Sequence, residues 1–293
     1  MDGILRKVRL LLQMVKFEHT IFALPFAMIS MLLAARELPH WLPSGRVIFW
    51  ILIAMVGARS TAMAFNRLAD ANIDKENPRT ATRHIPAGIL SRSQVLLFLV
   101  FALGLFEIAA WQLNPLCLLL SPIALVFLLG YSYTKRFTSL CHLVLGTAIG
   151  LAPLGAWIAV RGELNPLPVF LGLVVMLWIG GFDIIYALQD YEFDSQDPRL
   201  FSLPKRIGKA NALRVSRLMH LLMLCLLVYI GIGFGLHFWY FAGVAVVTCL
   251  IAWEQSLVKP DDLSKVNLAF FTLNGWVSVS LFVFVVLDRW LMR

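Results

Sequence analysis

Asn66, Asp70 and Asp74 recur at four-residue intervals in NRLADANIDKENPR (66–79), a spacing that stacks them along one face of a helix. Asp183, Tyr186, Asp190 and Asp194 follow the same rule in DIIYALQDYEFD (183–194). Carboxylates and an Asn amide oxygen are hard oxygen donors, and Mg²⁺ typically takes one or two carboxylates together with substrate phosphates. Arg79, Arg83, Lys135, Arg136, Arg199, Lys205 and Arg206 punctuate the same and neighbouring polar stretches, and such cations hold phosphate oxygens. Acids alone would repel a phosphate. Acids set among cations suit a metal-bridged diphosphate.

The elements that must carry these groups are apolar. The chain has 293 residues, of which 60% are hydrophobic and 14% charged, against about 45–50% and about 25% in soluble domains. It reads as one all-α integral membrane domain over 1–293. A spanning helix needs roughly 20 mostly apolar residues. Nine such stretches centre near 17–35, 47–65, 94–113, 115–131, 140–160, 166–189, 212–233, 236–256 and 267–288. The first has basic residues before it but lacks an A-x-A cleavage site, so it reads as a retained helix. Cys117, Cys141, Cys225 and Cys249 lie in apolar runs without a CxxC pair and read as small core residues. His19, His40, His142, His220 and His237 show no ligand spacing and read as interfacial.

With nine spans, the N-terminus and the loops near 66–93, 132–139, 190–211 and 257–266 share one side, which collects 19 of the 25 Lys and Arg when Arg214 and Arg217 at the loop margin are counted. That asymmetry puts the N-terminus in the cytoplasm. It explains most of the net charge of +8 by topology and anionic membrane lipid, with no call for nucleic acid. NRLADANIDKENPR (66–79) also aligns with YALQDYEFDSQDPR (186–199) at a constant offset of 120. Asp70 falls on Asp190, Asp74 on Asp194, Pro78 on Pro198 and Arg79 on Arg199. Four spans separate the copies, which suggests two parallel four-helix halves plus a ninth helix. Ionisable groups inside a span usually face a bundle interior or a wet cavity. Arg59, seven residues before Asn66, joins the first column.

On ARSTAMAFNRLADANID (58–74), NPRTATRHIPAG (77–88), YSYTK (131–135) and DIIYALQDYEFD (183–194), the chain resembles the UbiA superfamily of intramembrane prenyltransferases. Within that family it is most similar to the 4-hydroxybenzoate polyprenyltransferases and their naphthoate-using menaquinone relatives. KFEHTIFALPFA (16–27) leans toward the latter. The resemblance implies a UbiA-type bundle in the bacterial inner membrane. It also implies Mg²⁺ held by Asn66, Asp70 and Asp74 in a first motif and by Asp190 and Asp194 in a second. Asp183 and Tyr186 match the buried part of the second motif. Arg59, Arg79, Arg83 and Lys135 match positions near the diphosphate or the aromatic acceptor. Arg67 departs from the pattern, standing where many members have Asp. After Asp194, SQDPRLFSLPKRIG runs one residue longer than the family pattern and lacks the Gly and basic residue which that pattern places before Ser202.

The implied partners are a polyprenyl diphosphate and a small aromatic acid. Tyr131, Tyr133 and Tyr186 are the aromatic faces available to an allylic cation. Asp190, Asp194 and the released diphosphate are alternative bases. The rival reading is a cation-coupled secondary transporter using the two Asp columns. Transporter sites generally lie near the midplane, whereas these acids lie toward one surface.

Overall fold

The computed structural model describes residues 2–15, 22–38 and 41–291, which form helices and no strands. In chain order these are α1 (Asp2–Met14), α2 (Leu24–Ala34), α3 (Gly45–Glu76), α4 (Arg92–Leu113), α5 (Pro115–Thr134), α6 (Cys141–Arg161) and α7 (Pro166–Ala187). There follow α8 (Tyr191–Gln196), α9 (Leu203–Ile207), α10 (Lys209–Gly233), α11 (Phe238–Leu257) and α12 (Asn274–Leu291). Among the described residues, eight helices are long and apolar enough to cross a membrane. They correspond to the second through ninth expected spans. The first expected span falls partly outside the described residues, and its described part, α2, has 11 residues.

Local chemistry sets the helix ends. Ser44 Oγ accepts from the Val47 amide ahead of α3, and Ser91 and Gln94 form a reciprocal capping box on α4. Asn114 Oδ1 accepts from the Cys117 amide with Pro115 in the first turn, so two residues suffice to end α4 and start α5.

The chain forms two compact units, Met1–Thr20 with Ser44–Tyr133, and Ile21–Pro43 with Thr134–Arg293. In the first, α3 packs along α4. Met14 and Val15, at the end of α1, share a small core with Ala64, Leu90, Val95 and Leu99. In the second, α7 is the central helix, packed on α6 and α10, while α2 packs on α6 and α12. The two-halves layout places the first span with the second, third and fourth; the contacts instead place α2 with the later helices. The reason is visible in α2, where Phe26, Ile29 and Leu33 are buried in one core with Leu171 and Trp178. Ser30 Oγ also donates to the Pro153 carbonyl at 2.6 Å.

Two features of this unit set the position of α7. Gly150 and Gly172 bring the α6 and α7 backbones together so closely that a Cβ on either would collide with the other's carbonyl. A π-helical turn over Leu268–Leu273 precedes α12. Asn274 closes that widened turn, donating to the carbonyls of Ala269 and Phe270 and accepting from Trp178 Nε1.

Some polar expectations change. His142 and His220 are not interfacial but buried: His220 contacts the Trp178 carbonyl and the Gln255 side chain. His237 is exposed, and His19 and His40 lie outside the described residues. No cysteine is a core residue. Cys225 and Cys249 are exposed on apolar helices and the other two are half-buried, which a bilayer tolerates for a small, weakly polar thiol.

Candidate active site

The first motif lies on an unbroken 32-residue helix, α3. Asp70 and Asp74 are buried and Asn66 half-buried. Asn66 Nδ2 donates to Asp70 Oδ2 at 3.0 Å and to Ser132 Oγ at 3.4 Å. Arg83 Nη1 reaches both oxygens of Asp74 at 2.8 Å. Arg67, buried on the same helix, lies in the field of Asp70, Asp74, Arg83 and Tyr131. The family pattern marks Arg67 only as a departure, yet its charge sits among both acids of the motif. Its i+3 and i+7 spacing to Asp70 and Asp74 is the signal that could have found it. Arg59 and Tyr131 are half-buried and electrostatically coupled. Two acids are thus balanced by two arginines within one motif.

The second motif is built differently. Asp183 and Tyr186 lie on α7, but Leu188–Asp190 tighten into a 3₁₀ turn before α8 carries Asp194. The tighter turn shifts the phase, so the four residues do not form one straight helical column. Asp183 Oδ2 is 2.7 Å from His142 Nδ1 on α6. Tyr186 stacks on Phe270 of the π turn, with centroids 4.1 Å apart. The Ser202 hydroxyl, Asp190, Lys135 and Lys205 all act on the Asp194 carboxylate.

The offset of 120 extends into backbone geometry. In the first copy the Asn77 amide donates to the Ile73 carbonyl, and the Asn77 carbonyl accepts from Thr80. In the second the Asp197 amide donates to Phe193 and its carbonyl accepts from Leu200. The Arg79 amide donates to Asn77 Oδ1, and the Arg199 amide to Asp197 Oδ1, both at 2.9 Å. Asn77 and Asp197 have φ/ψ of −85°/118° and −92°/110°, the extended conformation that a following Pro imposes. Each acidic stretch ends in the same Asx-Pro-Arg turn.

Beyond the turn the copies diverge. The Asp197 carboxylate is forked by its own neighbour, Arg199 Nε and Nη2, at 2.8 and 2.7 Å, which holds it below the usual carboxylate range. Lys205 Nζ donates to the carbonyls of Asp197 and Leu200. The segment is then fastened to the connector before α6: Phe201 N–H donates to the Lys135 carbonyl at 2.7 Å, and Arg206 Nη1 to Ser139 Oγ at 3.0 Å. The atypical 195–207 stretch is therefore tied both to itself and to the connector before α6.

Among the described residues no group of three or more His, Cys, Asp and Glu converges as a metal cluster. The donors on α3 nonetheless fit Mg²⁺: two carboxylates and one carboxamide oxygen are the small protein share that this ion takes alongside phosphate. Arg83 is the group that must share or yield Asp74.

The described residues are all-helical, and each acidic stretch runs along helical backbone that ends in an Asx-Pro-Arg turn. The chain belongs to the UbiA prenyltransferase family, whose sequence model matches residues 23–276. It is 30% identical over 262 residues to the 4-hydroxybenzoate octaprenyltransferase of Vibrio cholerae serotype O1, covering 89% of each chain. To the enzyme of the same name from Methylobacillus flagellatus it is 31% identical, covering 84% of this chain and 81% of that one. Its fold matches the apo structure of a UbiA homologue from Aeropyrum pernix K1 with a TM-score of 0.83 and 31% identity, over 92% of this chain and 98% of that chain. A UbiA homologue from Archaeoglobus fulgidus, solved bound to GPP and Mg²⁺, shares the fold at a TM-score of 0.71 and 16% identity, over 96% of this chain and 99% of that one.

Proposed function

We propose that this protein transfers a polyprenyl group from a polyprenyl diphosphate to a small aromatic acid, with 4-hydroxybenzoate as the first candidate and a dihydroxynaphthoate as the second. The observation that carries the reading is the pair of acidic stretches, each ending in the same Asx-Pro-Arg turn and each set among cations. The likeness to 4-hydroxybenzoate octaprenyltransferases supports the choice of acceptor and, with it, a place in ubiquinone biosynthesis over menaquinone biosynthesis. The family match weighs against cation transport. The Lys and Arg distribution supports a cytoplasmic N-terminus, and the likeness to bacterial enzymes supports the bacterial inner membrane.

Asn66, Asp70 and Asp74 in the first motif, and Asp190 and Asp194 in the second, would hold Mg²⁺, which when bound neutralises charge developing on the diphosphate. Arg79, Arg83 and Lys135 bind diphosphate oxygens and orient the leaving group. The allylic C–O bond breaks with both electrons departing on the diphosphate. Tyr131 and Tyr186 offer aromatic faces to the allylic cation, and the apolar surroundings exclude the water that would quench it. The ring carbon ortho to the acceptor's hydroxyl attacks. Loss of its proton to Asp190, Asp194 or the departing diphosphate restores aromaticity. Arg59 holds the acceptor's carboxylate, and Asp183 binds substrate beside Tyr186.

Membranes carrying the protein, supplied with labelled polyprenyl diphosphate and either acid, should yield a product of the summed mass less diphosphate. Transfer to neither acid overturns the proposal.

A further inference from the structure

His142 lies 41 residues from Asp183 in sequence and has no role in the chemistry above. Its side chain is buried and uses both ring nitrogens. Nδ1 is 2.7 Å from Asp183 Oδ2, and Nε2 accepts from the Leu203 amide at 3.4 Å. A backbone N–H can only donate, so Nε2 carries the lone pair and Nδ1 carries the proton that faces Asp183. We propose that His142 is a positioning residue for the second acidic motif, fastening the Asp183 carboxylate and the start of α9 to one ring. The inference rests on the prenyl-transfer reading of that motif.

Two observations make the ring more than a packing element. Leu203 is the first residue of α9, so its N–H has no partner within the helix. Ser202 Oγ, the side-chain cap, takes the Lys205 amide, which leaves the Leu203 donor to His142. On the other side, the histidine makes the one side-chain hydrogen bond of Asp183 among the described residues. The Asp183 side chain is 23% exposed, so without its anchor the carboxylate is able to turn away from α6. The clamp joins the other ties between the 195–207 stretch and the connector, from Phe201 to Lys135 and from Arg206 to Ser139. It is the one among them that also holds an acidic residue of the motif.

His142→Leu removes both contacts at similar bulk. His142→Gln can restore both, its NH₂ donating to Asp183 and its Oε1 accepting from Leu203. In purified full-length protein, His142→Leu should lower kcat about 10- to 100-fold, as for loss of a hydrogen bond to a charged group, while KM for the prenyl diphosphate stays within about twofold. His142→Gln should recover most of the loss. In an Asp183→Asn background, His142→Leu should cost little more. Hydrogen exchange across Phe201–Leu203 should speed up about tenfold or more in His142→Leu and stay near wild type in His142→Gln. Wild-type kcat with unchanged exchange in His142→Leu rejects the clamp. So does a His142→Gln variant as impaired as His142→Leu, with exchange accelerated throughout the chain. Should the wild type transfer no prenyl group, the prenyl-transfer reading falls, and exchange at Leu203 alone decides the clamp.

Discussion

Arg83 Nη1 sits 2.8 Å from both oxygens of Asp74, so a carboxylate assigned to Mg²⁺ already carries a guanidinium. Arg83 then has two opposed roles: it competes with a metal for Asp74 and it attracts diphosphate. Arg83→Ala should tighten Mn²⁺ binding in the absence of substrate by about fivefold, the scale of a partly exposed ion pair, and raise KM for the prenyl diphosphate. Manganese electron paramagnetic resonance gives the first number and steady-state kinetics the second. Weaker Mn²⁺ binding in the variant would show that Arg83 supports the metal site.

Asp70→Ala and Asp190→Ala should each cut transfer by about 10³-fold, since metal stabilisation of the departing diphosphate is worth several kcal/mol. Excess chelator should do the same to the wild type. Both variants should still elute as folded protein in detergent. Full turnover by either would remove its motif from the chemistry.

Arg59 lies on the face of Asn66 and couples to Tyr131. If it anchors the acceptor's carboxylate, Arg59→Gln should raise the acceptor's KM about tenfold or more, with the prenyl diphosphate's KM changed far less. Arg59→Lys should rescue poorly, because a bidentate fork becomes a point charge. An unchanged acceptor KM would pass the role to Lys135.

Asp197 offers a pH test outside the membrane spans. Its carboxylate is held below the usual range by the Arg199 fork. The resulting stability is present above the ordinary Asp pKa of about 3.9 and is lost as pH falls through the lower folded value. Asp197→Asn keeps the turn, as Asn77 does in the first copy, and loses only the fork. Thermal melts should show a margin of up to ~1 kcal/mol, constant at neutral pH and closing below about pH 4. A margin unchanged in acid would assign it to the turn.

Orientation is testable by thiol labelling in a cysteine-free background. Cysteines at Glu76 and Gln196 should label from the cytoplasmic side, and one at Glu37 from the opposite side. Opposite-sided labelling of Glu76 and Gln196 would overturn the parallel repeat.

Much of this was legible in the sequence because it depends on short-range rules. Apolar runs marked the eight long helices, Asn114-Pro115 marked the break between α4 and α5, and the offset of 120 runs on into a turn whose first bonds recur in both copies. What depends on distant partners was not legible. Nothing near His142 points to Asp183, and nothing in α2 says that it will pack on α12 rather than stay with its neighbours. The 3₁₀ turn at Leu188–Asp190 was also hidden, because a period of four and a period of three differ by little over so few residues. Arg67 was a missed reading rather than a hidden one, since its helical spacing was in plain view.

The π turn at Leu268–Leu273 amounts to one surplus residue in an otherwise regular helix. Such an insertion rotates everything on one side of it by roughly a quarter-turn or more relative to the other. Phe270, which meets Tyr186, and the α12 residues Val277, Leu281 and Val285, which sit in the core, are therefore in different helical registers. Both sets nonetheless pack against one core. For anyone reshaping this protein, length at this point is a dial: one residue fewer would turn Phe270 and Phe271 relative to α12, and with them their contact with Tyr186.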